Sequence, residues 1–180
     1  MNEPRAGAGV GEQEVAALLR ANQSLYDAFE TGDIDLMSAL WVGGPHAASA
    51  CCVHPGWSPV HGREAVLRSW AVIMANTSYI QFVLTDVAAQ VAGEAAVVTC
   101  GENMLTSLSG GLANDDGSVG EPAALAGGRA VATNVFRRTA EGWRLWVHHS
   151  SPVLTGVASA DDEQEPDEGD EGPDTEEDSR

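Results

Sequence analysis

Histidine, cysteine and tryptophan are the residue types here with the most chemical reach: five His, three Cys and five Trp in 180 residues. A histidine changes charge near neutral pH, so it can act as a general base. His148 and His149 are adjacent in a segment with strand character, so they point to opposite faces and cannot chelate one ion together. Cys51 and Cys52 fall under the same geometry. No C-x-x-C or H-x-x-x-H spacing is present, so no metal is expected. The Gly-Gly pairs at 43–44, 110–111 and 127–128 lack the lysine and the strand–loop–helix context of a phosphate loop. There is no serine nucleophile elbow, and no cofactor is expected.

The elements that must position these residues are read from periodicity. Val15, Leu18, Leu19, Leu25, Tyr26 and Phe29 recur at helical spacing from Glu12 onward. Gly32 sits where a helix ends, and Asp33 can cap a second helix carrying Ile34, Met37, Leu40 and Trp41. A short strand is expected over 50–54, followed by a Pro55-Gly56 turn. A third helix, 63–76, has Val66, Leu67, Trp70, Ile73 and Met74 on its apolar face. The period then changes to that of strands: 79–91, 95–106, 130–139 and 143–151, the last two joined through Glu141-Gly142. Helices first and an antiparallel sheet last give an α+β fold.

Net charge is −18, and every basic residue is arginine. Residues 161–180 hold twelve acidic side chains and one basic one. They are expected to form a disordered acidic tail over 156–180. Residues 1–11 are expected to be a flexible arm, and 107–129 a Gly-rich loop. An acidic, lysine-free chain argues against nucleic acid and against anionic membranes. The odd cysteine count, with no secretory signal in view, gives a cytoplasmic expectation.

The order of TGDIDLMSALW (31–41), HPGWSPVHGREAVLRSW (54–70), GEAAVVTCGENMLT (93–106) and ATNVFRRTAEGWRLWVHHSSP (132–152) resembles the SnoaL-like branch of the nuclear transport factor 2-like superfamily. The last two segments are especially similar to the association domain of calcium/calmodulin-dependent kinases. This resemblance covers about residues 12–153, within a domain expected over 12–155. It implies a cone-shaped fold, with three N-terminal helices packed in a curved mixed or antiparallel sheet, a pocket in the cone, and homodimers through the outer sheet face.

The association domain's pocket arginines match Asn103, Asn134 and Ser150. The resemblance therefore turns the Trp146/His148/Ser150 face inward and Glu102 outward. Trp41, Trp57, Val66 and Trp70 would wall a neutral pocket. The superfamily's ketosteroid isomerases place an aspartate base where this chain has His54. Their first-helix tyrosine matches Leu25, so Tyr26 would point elsewhere. The first expectation is a small-molecule-binding domain taking an apolar or polyketide-like ligand without chemistry. The alternatives are a SnoaL- or isomerase-type enzyme with His54 or His148 as base, and a non-catalytic assembly module.

Overall fold

The computed structural model describes residues 8–107 and 125–154. Helix α1 spans Ala8–Thr31, four residues earlier than its apolar periodicity suggests. Leu18, Asn22, Leu25, Tyr26 and Ala28 are buried along one of its stripes. It ends at Gly32, whose φ of 68° suits a residue without a Cβ and whose N–H bonds Phe29 O. Asp33 then caps α2, Ile34–Leu40, by accepting the Leu36 N–H at 2.8 Å. A 3₁₀ turn, Gly44–Ser49, comes next. Strand β1, Cys51–Val53, pairs with a short β2, Val60–His61, which apolar spacing did not announce. Helix α3 covers Arg63–Ala75.

Four long strands complete the fold: β3 Ile80–Ala92, β4 Ala95–Ser107, β5 Leu125–Thr139 and β6 Gly142–Pro152. The sheet order is β2-β1-β6-β5-β4-β3. All pairings are antiparallel except β1 with β6, so the sheet is mixed. Of the loop expected over 107–129, residues 125–129 are already strand, and 108–124 lie outside the described residues. So do 1–7 of the expected arm and the tail over 156–180.

Two irregularities in the ladder set the bend of the sheet and the side chains that reach its concave face. In β3 the register shifts between Thr85 and Ala88; in β6 it shifts opposite Val135 and Phe136. Val135 pairs with Val147 and Phe136 with Leu145, which leaves Trp146 as the extra residue. A bulge of this kind bends the strand and reverses the alternation beyond it. The helices pack on the concave face, and the core joins Leu18, Leu25, Met37, Trp41, Val66, Val98, Phe136 and Leu145 across the layers.

Candidate active site

A cavity of about 260 Å³ opens between α1, α3 and the concave sheet. Its outer part is apolar, with Phe29, Trp70, Ile73, Ile80, Phe82 and Met104. Its inner end is polar: Tyr26, His54, Glu102, His148 and Ser150. All five are buried, so each needs a partner inside the protein.

Strand β6 delivers His148 and Ser150. Trp143 and Leu145 are buried before the bulge, and His148 and Ser150 after it. The Trp146 bulge therefore lets residues of opposite parity share the concave face. Trp146 itself turns away: its indole N–H donates to Ser49 Oγ at 2.9 Å, and the Arg137 guanidinium lies 5.5 Å from its ring. The expectation that Trp146 shares the inner face with His148 is corrected by this one extra residue.

Strand β4 delivers Glu102. Ala96, Val98, Cys100 and Glu102 are buried in strict alternation. Asn103 consequently faces outward, donating to Val83 O at 3.0 Å and Thr85 Oγ1 at 3.2 Å. Both expectations for this pair are overturned: Asn103 is not in the cavity, and Glu102 is. The period-two run Ala96–Val98–Cys100 was the available signal. The cavity end holds a carboxyl, which the resemblance did not imply.

Helix α1 delivers Tyr26, which was also expected to point elsewhere. Its hydroxyl donates to Glu102 Oε1 at 2.9 Å and accepts from Asn134 Nδ2 at 3.3 Å. Leu25 and Tyr26 both reach the cavity, because its wall spans more than the 100° between adjacent helix residues. Ser150 donates to Glu102 Oε2. Burial raises the Glu102 carboxyl above its ordinary value, and the Ser150 and Tyr26 hydroxyls pull it partly back. Burial, then the nearby Glu102, raises the Tyr26 phenol.

The two histidines are held in opposite tautomers. Asn134 is fully buried and gives its amide hydrogens to Asn22 Oδ1, at 2.8 Å, and to Tyr26. Its Oδ1, 2.7 Å from His148 Nδ1, must accept, so that nitrogen carries the proton. His148 Nε2 has no hydrogen-bond partner among the described residues. On the other side, Ser69 donates its one hydroxyl hydrogen to Val66 O at 2.7 Å. Ser69 Oγ therefore accepts from His54 Nε2 at 2.8 Å, leaving His54 Nδ1 unprotonated.

The rings lie 6.4 Å apart, each against the Trp70 indole. Burial lowers His54 to about 4. Burial, then the His54 and His149 rings, lowers His148 to about 3. Both imidazoles are neutral at pH 7 and so can accept a proton there, while the same burial makes each a weaker base than free imidazole.

The remaining expected wall residues divide. Trp70 is a buried wall whose indole N–H has no partner among the described residues. Trp57 is 47% exposed and stacks edge-on to His54 at 5.2 Å, at the mouth. Trp41 and Val66 line no part of this cavity. They pack in the core, because α2 lies behind α1 and Val66 is fully enclosed. Asn134 sits behind His148 as its support and does not line the cavity. Sequence reading missed the site roles of Asn22, Ser69, Tyr26 and Glu102; Tyr26 lay in the helical repeat of α1 and Glu102 in the period-two run of β4.

The family described as a SnoaL-like domain matches residues 18–155. The chain belongs to the SnoaL-like domain family. A crystal structure of a candidate dehydratase from the nuclear transport factor 2-like family of Streptomyces avermitilis is 50% identical. That similarity covers 79% of this chain and 99% of the other, with a TM-score of 0.70. A candidate calcium/calmodulin-dependent protein kinase type II association domain from Thiobacillus denitrificans is 28% identical, over 74% of this chain and 93% of the other, with a TM-score of 0.58. A nuclear transport factor 2-like protein from Salmonella enterica shares the fold of this SnoaL-like domain at 18% identity and a TM-score of 0.65, over 82% and 97% of the two chains. No curated protein matches this chain. No helix among the described residues is long and apolar enough to cross a membrane.

Proposed function

We propose that this domain binds a small uncharged molecule in the cavity and removes water from it by general acid–base catalysis. The observation that carries the reading is the pair of neutral imidazoles, His54 and His148, facing one cavity with their protonated nitrogens tied to the protein. The 50% identical candidate dehydratase supports the same class of reaction. Among the described residues no arginine lines the cavity and one carboxyl does, which disfavours an anionic substrate. The apolar outer wall suits an aromatic or alicyclic body.

With a β-hydroxy ketone as substrate, His148 Nε2 takes the proton on the carbon beside the carbonyl. The electrons of that C–H bond form the new double bond as the β C–O bond breaks. The departing oxygen takes up the proton from the imidazolium and leaves as water. His54, with Nδ1 unprotonated, accepts the hydrogen bond of the substrate hydroxyl and orients it. Asn134 and Ser69 hold the two rings and touch no reacting atom.

The test uses 4-hydroxy-4-phenylbutan-2-one, whose dehydration gives a conjugated enone that absorbs in the near ultraviolet. Turnover is expected, and His148→Gln should reduce it by about 10²- to 10⁴-fold while circular dichroism stays unchanged. Saturable binding of the ketone by the native chain, without turnover, would leave a binding domain and sink the dehydration step.

We also propose that the outer sheet face pairs with a second copy. Val83, Leu105 and Val131 are 60%, 36% and 54% exposed there. An apolar strip of this kind on a sheet is a usual site of association.

A further inference from the structure

A second concavity, of about 880 Å³, lies between the end of α2 and the β5–β6 turn. It is lined by Arg63, Arg137, Arg138 and Arg144, four of the nine basic residues of a chain whose net charge is −18. Glu94 and Glu141 also line it. Arg137 is ion-paired with Glu94 at 3.4 Å, and Arg138 with Glu14. Arg138 and Arg137 are further held over the Trp143 and Trp146 rings. Arg63 is tied to Ser38 O and Oγ. Arg144 donates only to the carbonyls of Glu141 and Trp143 and has no carboxylate partner among the described residues. Four guanidinium groups against the two lining carboxylates leave the groove net positive, and Arg144 keeps donors free of any carboxylate among the described residues.

We propose that this groove is the docking site of the chain's own acidic segment, residues 165–180. Charge complementarity selects it: nine of the twelve acidic residues of 161–180 fall in that stretch. Length permits it. Strand β6 has 11 residues, so its two ends are about 33 Å apart. From Leu154 to Glu165 the chain can extend about 38 Å. Tethering supplies the segment at a high effective concentration, so weak carboxylate–guanidinium contacts suffice. Such contacts on a solvent-facing groove weaken as salt rises. Docking there is independent of any chemistry in the cavity.

The test attaches a nitroxide to the full chain through Ser179→Cys, with the half-buried Cys51 changed to Ser. Amide signals of Gly142, Arg144 and neighbouring groove residues should lose most of their intensity at low salt. They should recover in 0.5 M NaCl. Arg144→Gln should return part of that intensity, and exchanging Glu176, Glu177 and Asp178 for their amides should do so without touching the folded domain. Broadening that is absent at low salt, or that survives both sets of changes, overturns the proposal. A mixture of isotope-labelled native chain and nitroxide-bearing unlabelled chain distinguishes the source. Broadening that persists there in proportion to the nitroxide-bearing share of the mixture would place the segment on a second copy and overturn docking within one chain.

Discussion

At the scale of single residues, the inner end of the cavity is a matter of hydrogen-bond accounting. Asn134 has two donors and spends them on Asn22 and Tyr26, so its oxygen must accept from His148. Ser69 spends its hydrogen on Val66, so it must accept from His54. Protonating either ring costs desolvation, which fixes two pH responses. The acid limb of kcat/KM should fall near pH 4, the lowered value of His54, or below it, and not near 6.5. An acid limb at pH 6 to 7 would mean that neither ring acts as a buried base.

Stability should move in the same direction. The unfolded value of His148 is 6.5 and its folded value is about 3, so the unfolded chain takes the proton first. The contribution is present above pH 6.5 and is lost as pH falls from there toward 3. Within that window one such group gives a slope of about 1.4 kcal/mol per pH unit. Glu102 acts oppositely, its raised value costing stability as pH rises through it. Urea unfolding at pH 7 and pH 5 should show a smaller stability loss in His148→Gln than in the native chain. Equal losses would contradict a buried neutral His148.

At the scale of elements, bulges decide which face a side chain meets. The Trp146 bulge carries His148 and Ser150 inward, and the β3 irregularity at 86–87 lets the long hairpin bend over the helices. Asp86 has a φ of 52° there. Opposite it, Gly101 leaves room for Thr85: a Cβ at 101 would sit 2.7 Å from Thr85 Oγ1. That hydroxyl also accepts from Asn103. Gly101→Ala should therefore cost about 1 to 3 kcal/mol, read as a lower urea midpoint with an unchanged slope. A neutral substitution would show that the bulge absorbs the added carbon.

At the scale of the whole molecule, one sheet serves two sides. The concave side holds the helices and the cavity, while the convex side exposes Val83, Leu105 and Val131. Sedimentation should find the native chain as a dimer and the Val83→Glu, Val131→Glu double variant as a monomer with native circular dichroism. A native chain that sediments as a monomer would remove the pairing reading.

The sequence alone determined the order of the three helices and the long strands, the α+β class and the family resemblance. Those rest on local periodicity, on Gly32 and Asp33 as stop and start signals, and on the Pro-Gly turn, all read within a few residues. It also singled out His54 and His148. Only the tertiary structure decided their company. An extra residue in β6 reverses side-chain parity without altering composition. The phase of β4 against the helices decides between Glu102 and Asn103. Asn22 and Ser69 look like ordinary polar helix residues until α1 and α3 are laid against the sheet. A bulge and a packing phase are relations between strands and helices distant in the chain, so no short window of sequence carries them.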